Sequence, residues 1–297
     1  MTNATRLALG SLAVGLAVLL LKTLAWWLTG SVALLSDALE STVNLATAAA
    51  ALLAIRVAAR PADAGHPYGH HKAEYLSAVA NGVLIVLTAF LILRAAWVSA
   101  TGPATPLDLT ATALLVSGAA TVVNAVWARR LLIGGRRERS AALVADARHL
   151  VADVVTSIGV VAGVVLAWVT GLWWLDPLLA ALVAVNVLVS GAQVIRESLG
   201  GLLDEAASPE TVERIRAIIA GSATGAVQAH DLRTRHDGRV VFADFHLIVP
   251  GDMSVTEAHD ICDRIEARLR AEIPDINATI HVEPEKKAKA DAIAIDG

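Results

Sequence analysis

Six long apolar stretches fill about the first 200 residues, at about 7–29, 32–56, 74–99, 107–130, 141–170 and 175–198, and each reaches the ~20 residues that a membrane-spanning helix needs. The breaks between them are short: Thr29-Gly30-Ser31, the His/Pro/Gly-rich stretch 60–71, Thr101-Gly102-Pro103, Gly134-Gly135-Arg136-Arg137, and Gly171 through Pro177. With 56% hydrophobic and only 18% charged residues, the composition is that of a membrane protein. The single cysteine, Cys262, excludes an intramolecular disulfide and any four-cysteine zinc site. No cleavable signal peptide is expected, because Leu7 to Leu28 is long enough to span and lacks a cleavage site. From about residue 206 the chain turns polar and charged, so the expected organisation is a six-helix membrane domain over 1–205, a soluble domain over 206–284 and a disordered tail over 285–297.

Charge in the breaks sets an orientation. Arg56, Arg60 and Lys72 flank the second break, and Arg129, Arg130, Arg136, Arg137 and Arg139 crowd the fourth, whereas the three alternating breaks carry no Lys or Arg. The positive-inside rule puts the basic loops, and with an even number of spans both termini, in the cytoplasm of a bacterial-type inner membrane. Trp26, Trp27, Trp97, Trp168, Trp173 and Trp174 then fall near the outer ends, as an interfacial aromatic belt would.

Ionisable residues inside the spans are costly, so each is a functional candidate. Span two carries Asp37, Glu40 and Asn44; span five carries His149 and Asp153. Spacings of three and four put each cluster on one helix face. Asn44 lies roughly 18 Å from the start of its span at 1.5 Å per residue, and Asp153 lies at a similar depth from the opposite side. If the two helices pack together, Glu40, Asn44, His149 and Asp153 offer two carboxylates, an imidazole and an amide oxygen to one point. That donor set has no thiolate; it suits Zn2+, and also Mn2+, Fe2+, Co2+ or Cd2+. For Asp37 three roles stay open: an accessory ligand, a place on an entry path, or a pair with a neighbouring group. In the second break, Asp63, His66 and His70 place two histidines at i,i+4 beside a carboxylate, a second metal-ligand pattern, with His71 following.

The soluble part reads as helix (about 209–221), strand (226–236), strand (240–250), helix (254–272) and strand (276–284), the order of a small ferredoxin-like α+β domain. Gly238 is the turn between the first two strands, and Val240, Phe242, Asp244 and His246 share one strand face. His281 and Glu283 share a face of the last strand. His236 falls at the hairpin, where exposure is expected.

These residues carry a resemblance. The segment from Ser31 to Asn44 resembles the second helix of the cation diffusion facilitator family, and Asp146-Ala-Arg-His149-Leu-Val-Ala-Asp153 resembles its fifth. Arg60 to Glu74 resembles its loop between helices two and three, and the likeness continues through Ala229-His-Asp-Leu-Arg-Thr-Arg235 to His281-Val-Glu283, closest in pattern to the bacterial iron/zinc exporter branch. The resemblance implies a Y- or V-shaped homodimer that exchanges cytoplasmic metal for protons, with a metallochaperone-like cytoplasmic domain. It implies a central site of Glu40, Asn44, His149 and Asp153, a peripheral site in the loop, and a binuclear zinc site of His230, His246, His259, His281 and Glu283 at the dimer interface. It also implies a charge pair, Lys72 with Asp204, at the membrane–tail junction. Three positions depart from the family pattern: Glu40 stands where His or Asp is usual, Asn44 where Asp is usual, and Glu283 where Asp is frequent. A neutral Asn44 binds a dication more weakly than carboxylate and takes no proton.

The expected activity is therefore divalent-cation efflux, Zn2+ first, coupled to proton antiport by a secondary transporter rather than an enzyme. An enzyme would want a catalytic base beside an open metal position, and the sequence has no HExxH motif or nucleophile elbow. The competing class is a non-transporting membrane metal sensor or scaffold whose tail binds metal. Metal ions, protons, lipid and a second copy are the expected partners, with no nucleic acid.

Overall fold

The computed structural model describes residues 2–29, 32–102, 111–172 and 174–295, without the side chains of 25, 26, 28, 29, 32–40, 111–114, 117, 160, 161, 163–165, 167, 168 and 176. The side chains of Asp37, Glu40, Trp26 and Trp168, the whole of Trp173, and the predicted breaks at 30–31 and 103 lie outside the described residues. The chain divides into two compact units, 1–199 and 200–297.

The first unit is helical: α1 (Asn3–Thr29), α2 (Val32–Ala58), α3 (Ala73–Thr101), α4 (Ala111–Arg137), α5 (Ala141–Thr170) and α6 (Leu175–Leu202). Among the described residues, Asn3–Leu24, Ser41–Ala58, Ala73–Thr101 and Pro177–Leu202 are long and apolar enough to cross a membrane. Large apolar side chains face outward, with Leu20 61%, Leu53 63%, Leu91 63% and Val122 63% exposed. A surface of that kind is stable against hydrocarbon and unstable against water. The interior is built from small residues. One buried cluster joins Ala8, Ala51, Ile55, Ala128, Leu131 and Leu143 across α1, α2, α4 and α5; another joins Ala78, Ile85, Ala89, Ala152, Val187 and Val194 across α3, α5 and α6. Helix α5 belongs to both. Helices α3 and α6 approach closely because of two glycines: a Cβ at Gly82 would lie 2.7 Å from Ile195, and one at Gly191 would lie 2.9 Å from Val86. Small residues at such crossings let backbones pack without a hydrophobic drive.

The second unit holds α7 (Pro209–Ser222), β1 (Gln228–Asp237), β2 (Val240–Val249), α8 (Val255–Glu272), β3 (Ile276–Pro284) and a short β4 (Ile293–Ala294). Ser208 caps α7 by accepting from the Thr211 N–H, with Pro209 in the first turn. Ser254 and Glu257 form a capping box at α8, and the Ser254 hydrogen bonds hold the Glu257 carboxyl below its usual range. The sheet order is β3-β2-β1-β4; β1 pairs antiparallel with β2 through the turn at Gly238 (φ 59°), and β2 pairs parallel with β3 across α8. Val241, Ala243, Phe245, Leu247 and Val249 form one face of β2 and bury against Ile215 and Ile219 of α7 and Ile261, Ile265 and Leu269 of α8. The other face of the sheet carries the polar chemistry.

Two features differ from the sequence reading. The tail expected to be disordered from 285 instead turns through Glu285–Lys287 and pairs as β4 with Gln228 and Ala229. The reason is burial: Ile293 is only 9% exposed in the domain core, and its backbone covers the open edge of β1. Strand β1 is also not uniform, since its register with β2 shifts between His230 and Arg233.

If β4 is part of the core, Ile293→Ala destabilises the domain by about 1–3 kcal/mol, read as faster amide hydrogen exchange at Ala229, while Val255→Ala, at an 87% exposed position, leaves that exchange unchanged.

Candidate metal centres

Helices α2 and α5 pack against each other and bring Asn44, His149 and Asp153 into contact. All three are buried, at 7%, 3% and 8% exposure. The Asn44 amide Nδ2 donates to Asp153 Oδ2 at 2.6 Å, and His149 Nε2 lies 2.8 Å from Asn44 Oδ1. A carbonyl oxygen only accepts, so His149 carries its proton on Nε2 in this arrangement. The result is a directed chain, imidazole to amide to carboxylate. Thr47 donates to the Asn44 carbonyl at 2.9 Å and Thr156 to the Asp153 carbonyl at 2.9 Å, local bonds that shape each helix beside its functional residue. Glu40 lies one turn before Asn44 on α2, and its side chain is outside the described residues.

One turn before His149, Asp146 is 2% exposed and accepts from Ser11 Oγ of α1 at 2.6 Å. A small cavity lined by Ser11, Ser41, Asn44, Asn124, Trp127 and Asp146 runs beside it. Asp146 is not among the candidate ligands of the sequence reading, although the rule that selects Asp153, a charge within an apolar helix, selects it equally.

In the loop before α3, Asp63 Oδ1 accepts from the backbone N–H of Gly65 (2.9 Å) and of His66 (2.8 Å), an Asx turn that brings the histidines round. His66 Nδ1 lies 3.3 Å from Asp63 Oδ1 and His70 Nε2 3.4 Å from Asp63 Oδ2, with the two rings 4.3 Å apart. One ligand atom from each falls within 4.8 Å of the others. The backbone N–H of His66 is the main reason the Asp63 carboxyl sits below its usual range. His71 is not in this group; its ring packs against Gly69, which takes a left-handed φ of 93°.

The third cluster crosses the tail sheet. His230 of β1 is in register with His246 of β2, and His246 with His281 of β3, so three imidazoles form a row on the face away from the helices. Adjacent rings are 5.2 and 5.0 Å apart. Glu283, two residues beyond His281, places Oε2 3.5 Å from His230 Nε2 and 3.6 Å from His246 Nδ1, and Oε1 3.8 Å from His281 Nε2. The His230 side chain is fully buried, and neither ring nitrogen has a hydrogen-bond partner. Such a group is costly to bury without a partner, and a cation between His230, His246 and Glu283 would supply one; their ligand atoms lie within 4.8 Å of each other. His281 is more peripheral at 66% side-chain exposure. His259 stands apart on α8, 72% exposed and 3.7 Å from Asp263. Asp204 pairs with Arg235 at 3.0 Å. His236 is tied to the Glu205 carbonyl at 3.1 Å.

Residues 8–203 match the family model of the cation efflux transmembrane domain, and residues 207–285 that of the cation efflux protein cytoplasmic domain. An uncharacterized transporter of Synechocystis is 42% identical over 280 residues, covering 94% of this chain and 90% of that protein. The cation-efflux pump FieF of Shewanella oneidensis is 32% identical over 274 residues, covering 92% of each. Among solved structures, the Zn form of CzrB matches 29% of this chain and 98% of its own at 49% identity, with a TM-score of 0.28. Two domain matches that together run from residue 8 to 285, on a chain whose buried polar residues meet between α2 and α5, make this protein a member of the cation diffusion facilitator, or cation efflux, family.

Proposed function

We propose that this chain exports a divalent transition-metal cation, Zn2+ first, in exchange for protons, and that the cation passes through the Asn44–His149–Asp153 contact with Glu40 as the fourth ligand. The observation that carries the reading is the buried contact itself: an imidazole, an amide and a carboxylate meet inside an apolar bundle. Polar groups at that depth carry a cost that a mere helix-packing role does not require. The donors are nitrogen and oxygen without sulfur, which suits Zn2+ and serves Mn2+, Fe2+, Co2+ or Cd2+ as well; the histidines of the tail put Zn2+ first.

Coupling follows from the same atoms. A cation binds neutral imidazole and ionised carboxylate, so metal and protons compete for one set of lone pairs. Cytoplasmic metal displaces protons on one side, and external protons displace metal on the other, as the helices rock to alternate access. Asn44 must swing its oxygen from His149 to the cation for this to happen. The protein works as a homodimer in the inner membrane with both termini cytoplasmic, the basic ends of α2 (Arg56) and α4 (Arg136, Arg137) marking that side. The loop trio Asp63, His66 and His70 and the tail cluster His230, His246 and Glu283 bind further divalent cations, the tail cluster holding a resident one that satisfies the orphaned His230.

In proteoliposomes with an internal metal dye, an imposed proton gradient is expected to drive Zn2+ uptake faster than Mn2+ or Fe2+, and collapsing the gradient should slow it. Gradient-independent Zn2+ flux would sink the antiport reading, and a folded protein that moves no ion would favour the sensor or scaffold. A second expectation concerns Asn44→Asp: an added carboxylate should tighten Zn2+ binding at the central site by at least about tenfold, the scale even of an outer-shell partner, and should steepen the pH dependence of transport. Unchanged affinity and pH dependence would remove Asn44 from the ligand set.

A further inference from the structure

The segment that follows β3 brings a cation of its own to the tail cluster. Strand β4 pairs Ile293 with Ala229 and Ala294 with Gln228, so the chain returns alongside β1 just before His230. On the way, Lys289 Nζ comes 2.5 Å from Asp231 Oδ2. That same oxygen is 3.9 Å from His246 Nδ1, the nitrogen that lies 3.6 Å from Glu283 Oε2. Asp231 is thus the next acidic group out from the His230, His246 and Glu283 trio.

It reaches that place only because the strand is irregular. In a regular strand, residues 230 and 231 point to opposite faces of the sheet, which would turn Asp231 toward the helices. The register shift between His230 and Arg233 is a bulge, and Asp231 takes a left-handed φ of 55° within it. A bulge re-aims a side chain, and Asp tolerates this conformation better than most residues. Here it puts two successive side chains beside His246. The hydrogen bond from Lys289 is the leading reason the Asp231 carboxyl sits below its usual range; burial opposes it, and the charges of Lys289, His230 and His246 lower it further.

We propose that Asp231 is a further ligand for the divalent cation at the His230–His246–Glu283 cluster, and that Lys289 is the chain's own cation that holds this carboxylate until the metal takes it. The proposal rests on the reading that the tail cluster binds metal. A dication at the cluster attracts Asp231 and repels the Lys289 ammonium, so loading frees the segment that carries Lys289. That segment is otherwise anchored by the two paired residues, by Ile293 and Ile295 on the domain core, and by the Gln228 side-chain amide on the Lys289 backbone. The linkage is reciprocal: Lys289 weakens metal binding by the same factor as metal weakens the Lys289 contact.

The test uses the full chain in detergent, with Zn2+ as the probe and hydrogen exchange followed in peptides covering 228–250 and 286–295, which separates the tail from the other centres. Wild type is expected to gain protection over 228–250 and lose it around 289 as Zn2+ rises. Lys289→Gln should shift the Zn2+ midpoint down by roughly 2- to 5-fold, the scale of an exposed ion pair; Lys289→Arg should stay at the wild-type midpoint. Asp231→Asn should shift it up by about tenfold or more. If wild type responds to Zn2+, His246→Ala abolishes the response, and yet Lys289→Gln and Asp231→Asn keep the wild-type midpoint, the proposal is overturned while the tail site stands. If wild type shows no Zn2+ response over 228–250, the tail site itself is refuted and the proposal goes with it.

Discussion

A carboxylate inside an apolar helix bundle needs a donor, and for Asp153 that donor is the Asn44 amide at 2.6 Å. The same amide accepts from His149 through its other end at 2.8 Å. An aspartate at position 44 could not do this without a proton or a metal between two facing carboxylates. The neutral amide supplies the hydrogen that a bound proton would otherwise bring between positions 44 and 153. In the proposed exchange, Asn44 therefore offers an amide oxygen and no titrating group of its own.

The rest of the membrane unit positions this contact. Helix α5 packs on α1, α2 and α4 through one buried cluster and on α3 and α6 through another. The residues that meet Asn44 are therefore carried by the helix common to both halves. A shift of α5 against α2 breaks the hydrogen-bond chain and disturbs both packing surfaces, while Gly82 and Gly191 keep α3 and α6 close together. The tail solves a related problem differently. His230 is buried in a sheet with neither ring nitrogen satisfied, and its nearest charged neighbour, Glu283, stops at 3.5 Å. At the central site Asn44 pairs with both Asp153 and His149 Nε2, whereas at the tail site neither ring nitrogen of His230 has a hydrogen bond.

Much of this is legible from residue spacing. Helical periodicity puts His149 and Asp153 on one face, and the expectation that they meet Asn44 across two packed helices agrees with the hydrogen bonds seen. Alternation along β2 separates His246 from the core residues Phe245 and Leu247, and its β3 counterpart joins His281 to Glu283. The limits arise where the structure departs from a period. The left-handed Asp231 and its bulge depend on pairing with β2, so strict alternation misplaces that side chain. Strand β4 is two residues long in a Lys/Ala/Asp-rich segment, and Ile293 finds its place only through tertiary burial. His259 follows the family pattern in sequence but stands on α8, away from the row of imidazoles within this chain.

The central claim is that the cation crosses the membrane at the contact between α2 and α5. The most direct measurement is Zn2+ transport by Asp153→Ala in proteoliposomes, beside wild type, with helical content and Zn2+ binding at the tail checked in the same preparation. The account predicts a folded protein that still binds Zn2+ at the tail and moves none across the bilayer. Transport at the wild-type rate by that variant would contradict it.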